Sequence, residues 1–406
     1  MRIIYATTSI VPSRLANSVH IMKMCQAFRQ LGNEIELVIP NFPHLEDIQQ
    51  GVNLWTHYGI RDPFPIHRIR WSKPIAGLDF AYSACRYALQ KQAQLLYTRN
   101  LQVAAMASMR GLPTVVERHA PVVSPLRWRV FRSFAIDARP VSVPLGFLDD
   151  VSFKVALWGP GFRKLVVITN VLKQLVMEHT NGRLKSENIL VCPDGIDLER
   201  FEQMPDAPTA RARLGLPEGA LTLGYAGNLY EGFGTDLLFR LARSLPQFMF
   251  VFIGGHEKHI VHWQNEKAQK GIENVHFFGF VPNAVLPNYL AACDVLLMPY
   301  QRRVTILGKG DTSLWMSPMK MFEYMATGRL IISSDLPVLR EVLNERNAVL
   351  CPPDDLDAWR LAAERAACDP RWRASLGEQA RADVEKYSWK RRVEKILAEA
   401  RNLGVV

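Results

Sequence analysis

At 406 residues the chain is too long for one ordinary hydrophobic core, so two domains of roughly 200 residues each are expected. Its 48% apolar and 22% charged content is that of an ordinary soluble globular protein. A formal charge of +10 and a pI near 9.4 favour anionic partners: nucleotide phosphates, anionic lipid headgroups or nucleic acid. No helix-turn-helix, finger or RNA-binding aromatic motif is present, so nucleic acid is not expected as a partner. No apolar run reaches the roughly 18 residues of a membrane-spanning helix. Cysteines 25, 85, 192, 293, 351 and 368 form no CxxC pair, which points to reduced core thiols in a cytoplasmic protein. The opening Met1-Arg-Ile-Ile-Tyr-Ala reads as a strand rather than a leader.

Ile3–Ala6 is the first expected strand. A polar loop, Thr7–Asn17, holds Pro12, Arg14 and Asn17, and helical periodicity follows over Ser18–Leu31. Gly32 ends that helix and Glu34–Ile39 is the second strand, giving a βαβ unit. Loops leaving parallel strands gather at their carboxyl ends, where ligands bind, so the Thr7–Asn17 loop is a candidate site wall. It carries no GxGxxG. Residues 41–80 read as an irregular excursion from the sheet. A helix over 82–94 leads to a short strand, Leu95–Tyr97, ending in Thr98-Arg99-Asn100. After a helix over 101–109, the strand Thr114–Val116 ends in Glu117-Arg118-His119, again at a carboxyl edge.

Arg127, Trp128, Arg129, Phe131, Arg132 and Phe134 mix cations with rings. Such a segment can rest on a lipid interface, or form a helix with its rings in the core and its arginines in water. Strands at Lys164–Thr169 and Ile189–Val191 follow, the latter ending in Pro193-Asp194-Gly195-Ile196-Asp197. Glu202–Pro217 is a proline-bearing linker zone. The expected domains are 1–202, 203–380, and a C-terminal helical segment, 381–406, returning to the first domain.

The second α/β pattern begins with the strand Leu223–Ala226 and a glycine-rich loop, Gly227-Asn-Leu-Tyr-Glu-Gly-Phe-Gly234. Thr235 or Asp236 is expected to cap a helix over 237–244. Strands follow at Phe248–Ile253, at Val275–Phe278 ahead of Gly279-Phe280-Val281, and at Val295–Met298, with a helix over Leu286–Ala292. Residues 317–343 form a crossover: a helix carrying Lys320 and Glu323, Gly328, the strand Leu330–Ser333, a turn at Asp335 and Pro337, and a second helix start with Glu341. Helices over 356–367 and 372–399 complete the chain. A carboxylate accepts two hydroxyl hydrogen bonds at once, so acids at a sheet edge suit a polyhydroxylated ligand. The 227–234 loop either presents backbone N–H groups to a diphosphate or is a bare turn. Lys320 is placed to reach the same phosphates. His119 is either a structural histidine or part of the ligand edge. No HExxH, clustered His/Cys set or Walker A pattern is present, so neither a metal site nor a P-loop is expected.

Taken together, Asn17–Val38, Leu96–Arg99, Glu117–His119, Val191–Phe201, Gly224–Gly234, Gly279–Val281 and Ser317–Leu343 resemble the retaining glycosyltransferases of family 4, of the bacterial envelope-polysaccharide type. The resemblance spans nearly the whole chain. It implies an α/β GT-B fold: two facing Rossmann-like domains with parallel sheets, a nucleotide-sugar donor held mainly by the second and an acceptor mainly against the first. Carried over by position, Glu323 resembles the acid that binds the donor ribose, and His119 the histidine near the reacting sugar. Gly227, Asn228, Gly232 and Gly234 match the phosphate loop, Phe280 and Val281 the strip beside the base, and Glu341 an acid closing the motif. Three departures stand out. Trp315 occupies the position of the first acid of the E-x7-E pair, a gap that Asp311 or the backbone near Met316–Ser317 is expected to fill. Phe233 stands at the usual loop lysine, so charge must come from Lys320, Lys309 or Arg99. Ala16-Asn17 replaces a Gly-Gly pair, with Arg14 and Asn17 left as phosphate or acceptor contacts.

The implied enzyme is a metal-independent, retaining hexosyltransferase without a cofactor, working on a saccharide or lipid-linked acceptor at the inner face of the cytoplasmic membrane, with peripheral contact to anionic lipid. The alternatives are an epimerase or phosphorylase of the same fold, or a sugar-nucleotide-binding protein with weak catalysis.

Overall fold

A computed structural model of the chain describes residues 1–41, 53–70, 77–122, 143–306 and 310–401. Lys309 and the 127–134 segment lie outside the described residues. The chain divides into two compact units, one of residues 1–194 with 389–406, the other of residues 195–388.

In the first unit the elements run β1 (Arg2–Ala6), α1 (Ala16–Gln30), β2 (Glu34–Asn41), α2 (Leu54–Tyr58), β3 (Ile66–Arg70), α3 (Leu78–Gln90), β4 (Leu95–Thr98), α4 (Leu101–Met109), β5 (Thr114–Arg118), α5 (Val143–Trp158), β6 (Phe162–Val167), α6 (Asn170–His179) and β7 (Ile189–Val191). All seven strands are parallel, in the order β3-β2-β1-β4-β5-β6-β7. Helices cover both faces of such a sheet, so its inner strands read as continuous apolar runs. Leu95, Leu96, Tyr97 and Thr98 of β4 are all buried. The expected excursion over 41–80 is corrected in part: Ile66–Arg70 is a strand, paired in register with β2 from Leu37↔Ile66 to Asn41↔Arg70. Its Ile-His-Arg-Ile-Arg sequence hid it, because an edge strand keeps polar, half-exposed side chains.

In the second unit α7 (Ala207–Leu214), β8 (Thr222–Ala226), α8 (Thr235–Ser244), β9 (Met249–Ile253), α9 (Glu257–Gln269), β10 (Val275–Gly279), α10 (Leu286–Ala291), β11 (Val295–Met298), the hairpin β12 (Thr305–Ile306) and β13 (Gly310–Asp311), α11 (Met319–Thr327), β14 (Leu330–Ser334), β15 (Val349–Cys351), α12 (Leu356–Cys368) and α13 (Pro370–Val384) follow. The six-stranded parallel sheet has the order β10-β9-β8-β11-β14-β15. Two local expectations are corrected. Helix α8 begins at Thr235 with Gly234 as its cap, at φ 81°, and no side chain caps it. The segment carrying Glu341 is a single 3₁₀ turn, Leu339–Glu341. The last helix, α14 (Trp389–Arg401), packs in the first unit.

Trp359 of α12 is fully buried and donates its indole N–H to Pro352 O at 3.0 Å, so α12 is fixed to the sheet by both packing and a satisfied polar tip. Helix α13 lies close enough to the end of α11 that a Cβ on Gly377 would sit 2.1 Å from Gly328 O. Exchanging a helical glycine for alanine ordinarily gains about 1 kcal/mol. Here the obstacle is backbone, which cannot swing aside. Gly377→Ala is expected to destabilise the protein by about 1–3 kcal/mol, read by denaturant unfolding.

Candidate active site

Each sheet has one place where neighbouring strands send their connections in opposite directions, and ligands of open α/β sheets bind there. In the second unit that place lies between β8 and β11. The Gly227–Gly234 loop leaves β8 there and runs into α8. Gly227, at φ 143°, donates its N–H to Ile253 O at 2.8 Å. Gly234 is pressed so tightly on the chain leaving β11 that a Cβ would lie 1.9 Å from Pro299 O. With no side chain capping α8, its first-turn N–H groups are available to an anion.

Lys320, near the start of α11, extends into this loop. Its ammonium lies 4.1 Å from the ring centre of Tyr225, 5.1 Å from Tyr300 and 5.6 Å from Phe233. A Cβ on Gly227 would come within 2.6 Å of it. The Nζ atom is buried and finds no hydrogen-bond partner among the described residues. Burial pushes its pKa down to about 7, against the opposing pull of Glu323. Phe233, at the usual loop-lysine position, is itself buried as part of the aromatic cage, and the charge arrives from the helix instead.

Glu323 follows Lys320 on α11 and is buried. Asn283 donates Nδ2–H to its Oε1 at 3.2 Å. The backbone carbonyl of Asn283 in turn accepts from the Arg200 guanidinium. This ties Glu323 to the segment that begins with Phe280 and Val281, where the Phe280 ring is 37% exposed. The structure thus brings Gly227, Asn228, Gly234, Lys320 and Glu323 to one sheet edge. Tyr225 donates its hydroxyl to Asn228 O at 2.6 Å, fixing that part of the loop. Gly232, at φ 81°, packs against Arg303 O. Glu341 sits in its 3₁₀ turn, where its charge helps to raise the Tyr387 pKa, after burial and Asp383. Trp315 is buried. Asp311 uses Oδ1 to accept from the N–H groups of Val304 and Ser313, both at 3.0 Å, which fixes the β12–β13 hairpin.

In the first unit the carboxyl ends of β1, β4 and β5 are adjacent, and the loops carrying Asn17, Arg99 and His119 leave from them. His119 donates Nε2–H to Glu117 Oε1 at 2.5 Å. The same oxygen accepts from Arg392 Nη2 at 2.8 Å, and His20 Nε2 lies 3.0 Å away. Tyr97 donates its hydroxyl to Glu117 Oε2, and His20 Nδ1 pairs with Asp194 Oδ1 at 2.9 Å. Burial alone would raise the pKa of Glu117, but Arg392, His20 and His119 outweigh it and hold the carboxyl well below its usual range. His119 is pushed down to about 3, first by burial and then by Arg99, so it is neutral near pH 7. Arg99 Nη1 is buried without a hydrogen-bond partner among the described residues. Asn17 Nδ2 donates weakly to Ser9 Oγ at 3.4 Å, and Arg14 is exposed.

Ligand atoms of His20, Glu117 and His119 lie within 4.8 Å of one another, a spacing that a metal ion can bridge. The group does not fit one. Glu117 Oε1 is already taken by the guanidinium and His119, and a dication there would meet the buried charge of Arg392.

His20, Asp194, Arg392, Asn283, Tyr225 and Tyr300 are absent from the residues singled out as candidates in the sequence. Asp194 lay within a strand-end motif. His20 fell inside ordinary helical periodicity. Nothing local marks Arg392, which acts over a separation of 275 residues.

Two Rossmann-like units of this kind are the signature of the GT-B class, and a solved member has the same fold. Anabaena Alr3699/HepE in complex with UDP superposes with a TM-score of 0.72 at 15% identity, covering 99% of this chain and 100% of that one. Residues 220–369 match the family model described as Glycosyl transferases group 1. Among curated relatives, the chain is similar to a D-inositol 3-phosphate glycosyltransferase of Saccharomonospora viridis, at 28% identity over 50% of this chain and 47% of the relative. It is also similar to the phosphatidyl-myo-inositol mannosyltransferase of Mycolicibacterium smegmatis, at 22% identity over 91% of this chain and 86% of the relative. The chain spans about half the length of the first of these.

A buried cation without a partner costs stability, and a long apolar side chain of similar volume does not. Lys320→Met is expected to raise the thermal midpoint of the unliganded protein by a few degrees near pH 7. From about pH 7 to 10.5 the unfolded chain keeps a proton that the folded Lys320 gives up, so its contribution to stability rises with pH across that window. Thermal melts at stepped pH are expected to show this rise in the parent protein and its loss in the variant.

Proposed function

We propose that the protein is a retaining glycosyltransferase that moves a hexose from a nucleoside-diphosphate sugar to a hydroxyl of a saccharide or lipid-linked acceptor. The observation that carries this reading is Lys320: a buried ammonium with no hydrogen-bond partner among the described residues, beside a glycine-rich loop and an uncapped helix start. An aromatic cage alone does not balance a desolvated ammonium, whereas a diphosphate placed there meets N–H donors and a cation together. Glu323 supplies the ribose acceptor, held by Asn283. Phe280 and Val281 lie beside the base. Arg14, Asn17 and Arg99 are acceptor-side or phosphate contacts.

In the reaction the bond from the anomeric carbon to the diphosphate oxygen breaks, and the diphosphate leaves with the electron pair. The acceptor hydroxyl attacks from the same face and its proton passes to the leaving phosphate, which preserves the anomeric configuration. Lys320 and the loop stabilise the charge that develops on that phosphate. No side-chain nucleophile, metal or cofactor takes part. Kinship with a phosphatidyl-myo-inositol mannosyltransferase and the net charge of +10 support a lipid-linked acceptor and contact with anionic membrane. No helix among the described residues is long and apolar enough to cross a membrane.

The test is a panel of UDP-, GDP-, ADP- and dTDP-sugars, followed by thermal shift and product chromatography with and without EDTA. One donor class is expected to stabilise the protein and turn over, EDTA having no effect. Glu323→Ala is expected to weaken donor binding by about 1.5–3 kcal/mol. Full affinity and full transfer in that variant overturn the site assignment. Anion binding favours the charged form of Lys320, so binding takes up a proton above about pH 7. Affinity for the matching nucleoside diphosphate is therefore expected to fall as pH rises past that value, and Lys320→Met to remove the dependence along with most of the binding. Titration calorimetry in buffers of different ionisation enthalpy reads both.

A further inference from the structure

Glu117 has more partners than charge balance requires. Arg392 alone neutralises it, yet Tyr97 and His119 also donate to the same carboxylate, and His20 Nε2 lies 3.0 Å from it without making a hydrogen bond. The arrangement continues outward in two directions. His20 passes from Glu117 to a second carboxylate, Asp194, and its ring meets His119 edge-on at 4.7 Å and 89°. Trp389 meets the other side of His20 at 5.0 Å and 89°. Trp389 and Arg392 both belong to α14, and Arg392 is locked by further bonds to Pro193 O at 2.9 Å and Cys192 O at 3.2 Å.

The consequence falls on His119. A neutral imidazole carries one hydrogen, and the carboxylate at 2.5 Å fixes it on Nε2. Nδ1 then keeps its lone pair. The charged and titratable groups around this ring are Glu117 on its own strand connection, His20 on α1, Arg99 after β4, and Asp194 after β7. Arg99 and the carboxylates act in opposite senses on the ring charge, while the Glu117 bond alone selects which nitrogen holds the hydrogen.

We propose that Arg392 and His20 are positioning residues: acting through Glu117, they hold His119 in its Nε2–H tautomer with Nδ1 presented as a neutral acceptor for a sugar hydroxyl. The last helix of the chain thereby sets the state of a residue 273 positions before it (392 − 119). His119 under this assignment orients a hydroxyl and does not act as a general acid.

The test combines spectroscopy with kinetics on the full chain. The kinetic arm rests on the transfer reaction proposed above, and the spectroscopic arm does not. Nitrogen-15 NMR, assigned with His119→Gln, is expected to show a single Nε2–H tautomer in the parent protein from pH 6 to 8. Arg392→Met is expected to mix the tautomers and lower kcat by tenfold or more with KM for the donor within about twofold. Arg392→Lys is expected to recover most of both. If Arg392→Met does not fold, His20→Gln decides, with partial mixing of the tautomers expected. An Nδ1–H tautomer in the parent protein overturns the proposal. So does a folded Arg392→Met variant, or, where that one does not fold, a folded His20→Gln variant, that keeps the parent tautomer and kcat. If no donor is turned over, the transfer reading fails while the NMR result still decides the positioning.

Discussion

A strand can follow its parallel neighbour only by crossing over the face of the sheet, and this constraint organises both units. It places helices on both faces, makes the inner strands apolar throughout, and delivers the strand-to-helix connections to one edge. In the second unit the β8 and β11 connections part at that edge, which opens a space the sheet itself cannot fill. The loop there is tight enough for Gly234 to lie against Pro299 O, and Lys320 extends into it. In the first unit the same constraint brings together the ends of β1, β4 and β5, and with them Arg99 and His119.

The two edges treat charge in opposite ways. The Lys320 ammonium is buried with rings around it and no hydrogen-bond partner among the described residues, a state that weakens its own protonation. Glu117 is buried with an excess of donors, a state that fixes its ionisation. The first is the kind of arrangement that an anion would complete. The second is complete without a ligand and serves to define geometry. A group meant to meet a ligand's charge gains from being left unpaired, whereas a group meant to orient another gains from being fully bonded.

The departures from the family pattern also become physical statements. Phe233 displaces a loop lysine, and the structure shows its ring buried in the cage that holds a lysine from another element. Asp311, one expected substitute for the missing first acid at Trp315, commits an oxygen to backbone N–H groups of its own hairpin.

Much of the architecture was legible in the chain. The apolar runs at β1, β4, β8, β11 and β14 announce buried parallel strands, Gly32 and Gly328 mark helix ends, the 227–234 loop announces itself by its place after a strand, and Lys320 and Glu323 by the crossover helix that carries them. Strand β3 did not, because an exposed edge carries no apolar period. The cap of α8 did not, because a left-handed glycine and a polar side chain serve equally well on paper. By itself the sequence determined most of the order of elements and the presence of two α/β units, since these follow from local periodicity and turn chemistry, while the candidate ligand residues came from resemblance to a family pattern. Only the tertiary structure decided which of those residues meet. The pairing of Arg392 with Glu117, the bridge from His20 to Asp194 and the enclosure of Lys320 by Tyr225 and Tyr300 depend on contacts between distant segments, and no local pattern encodes a contact of that range.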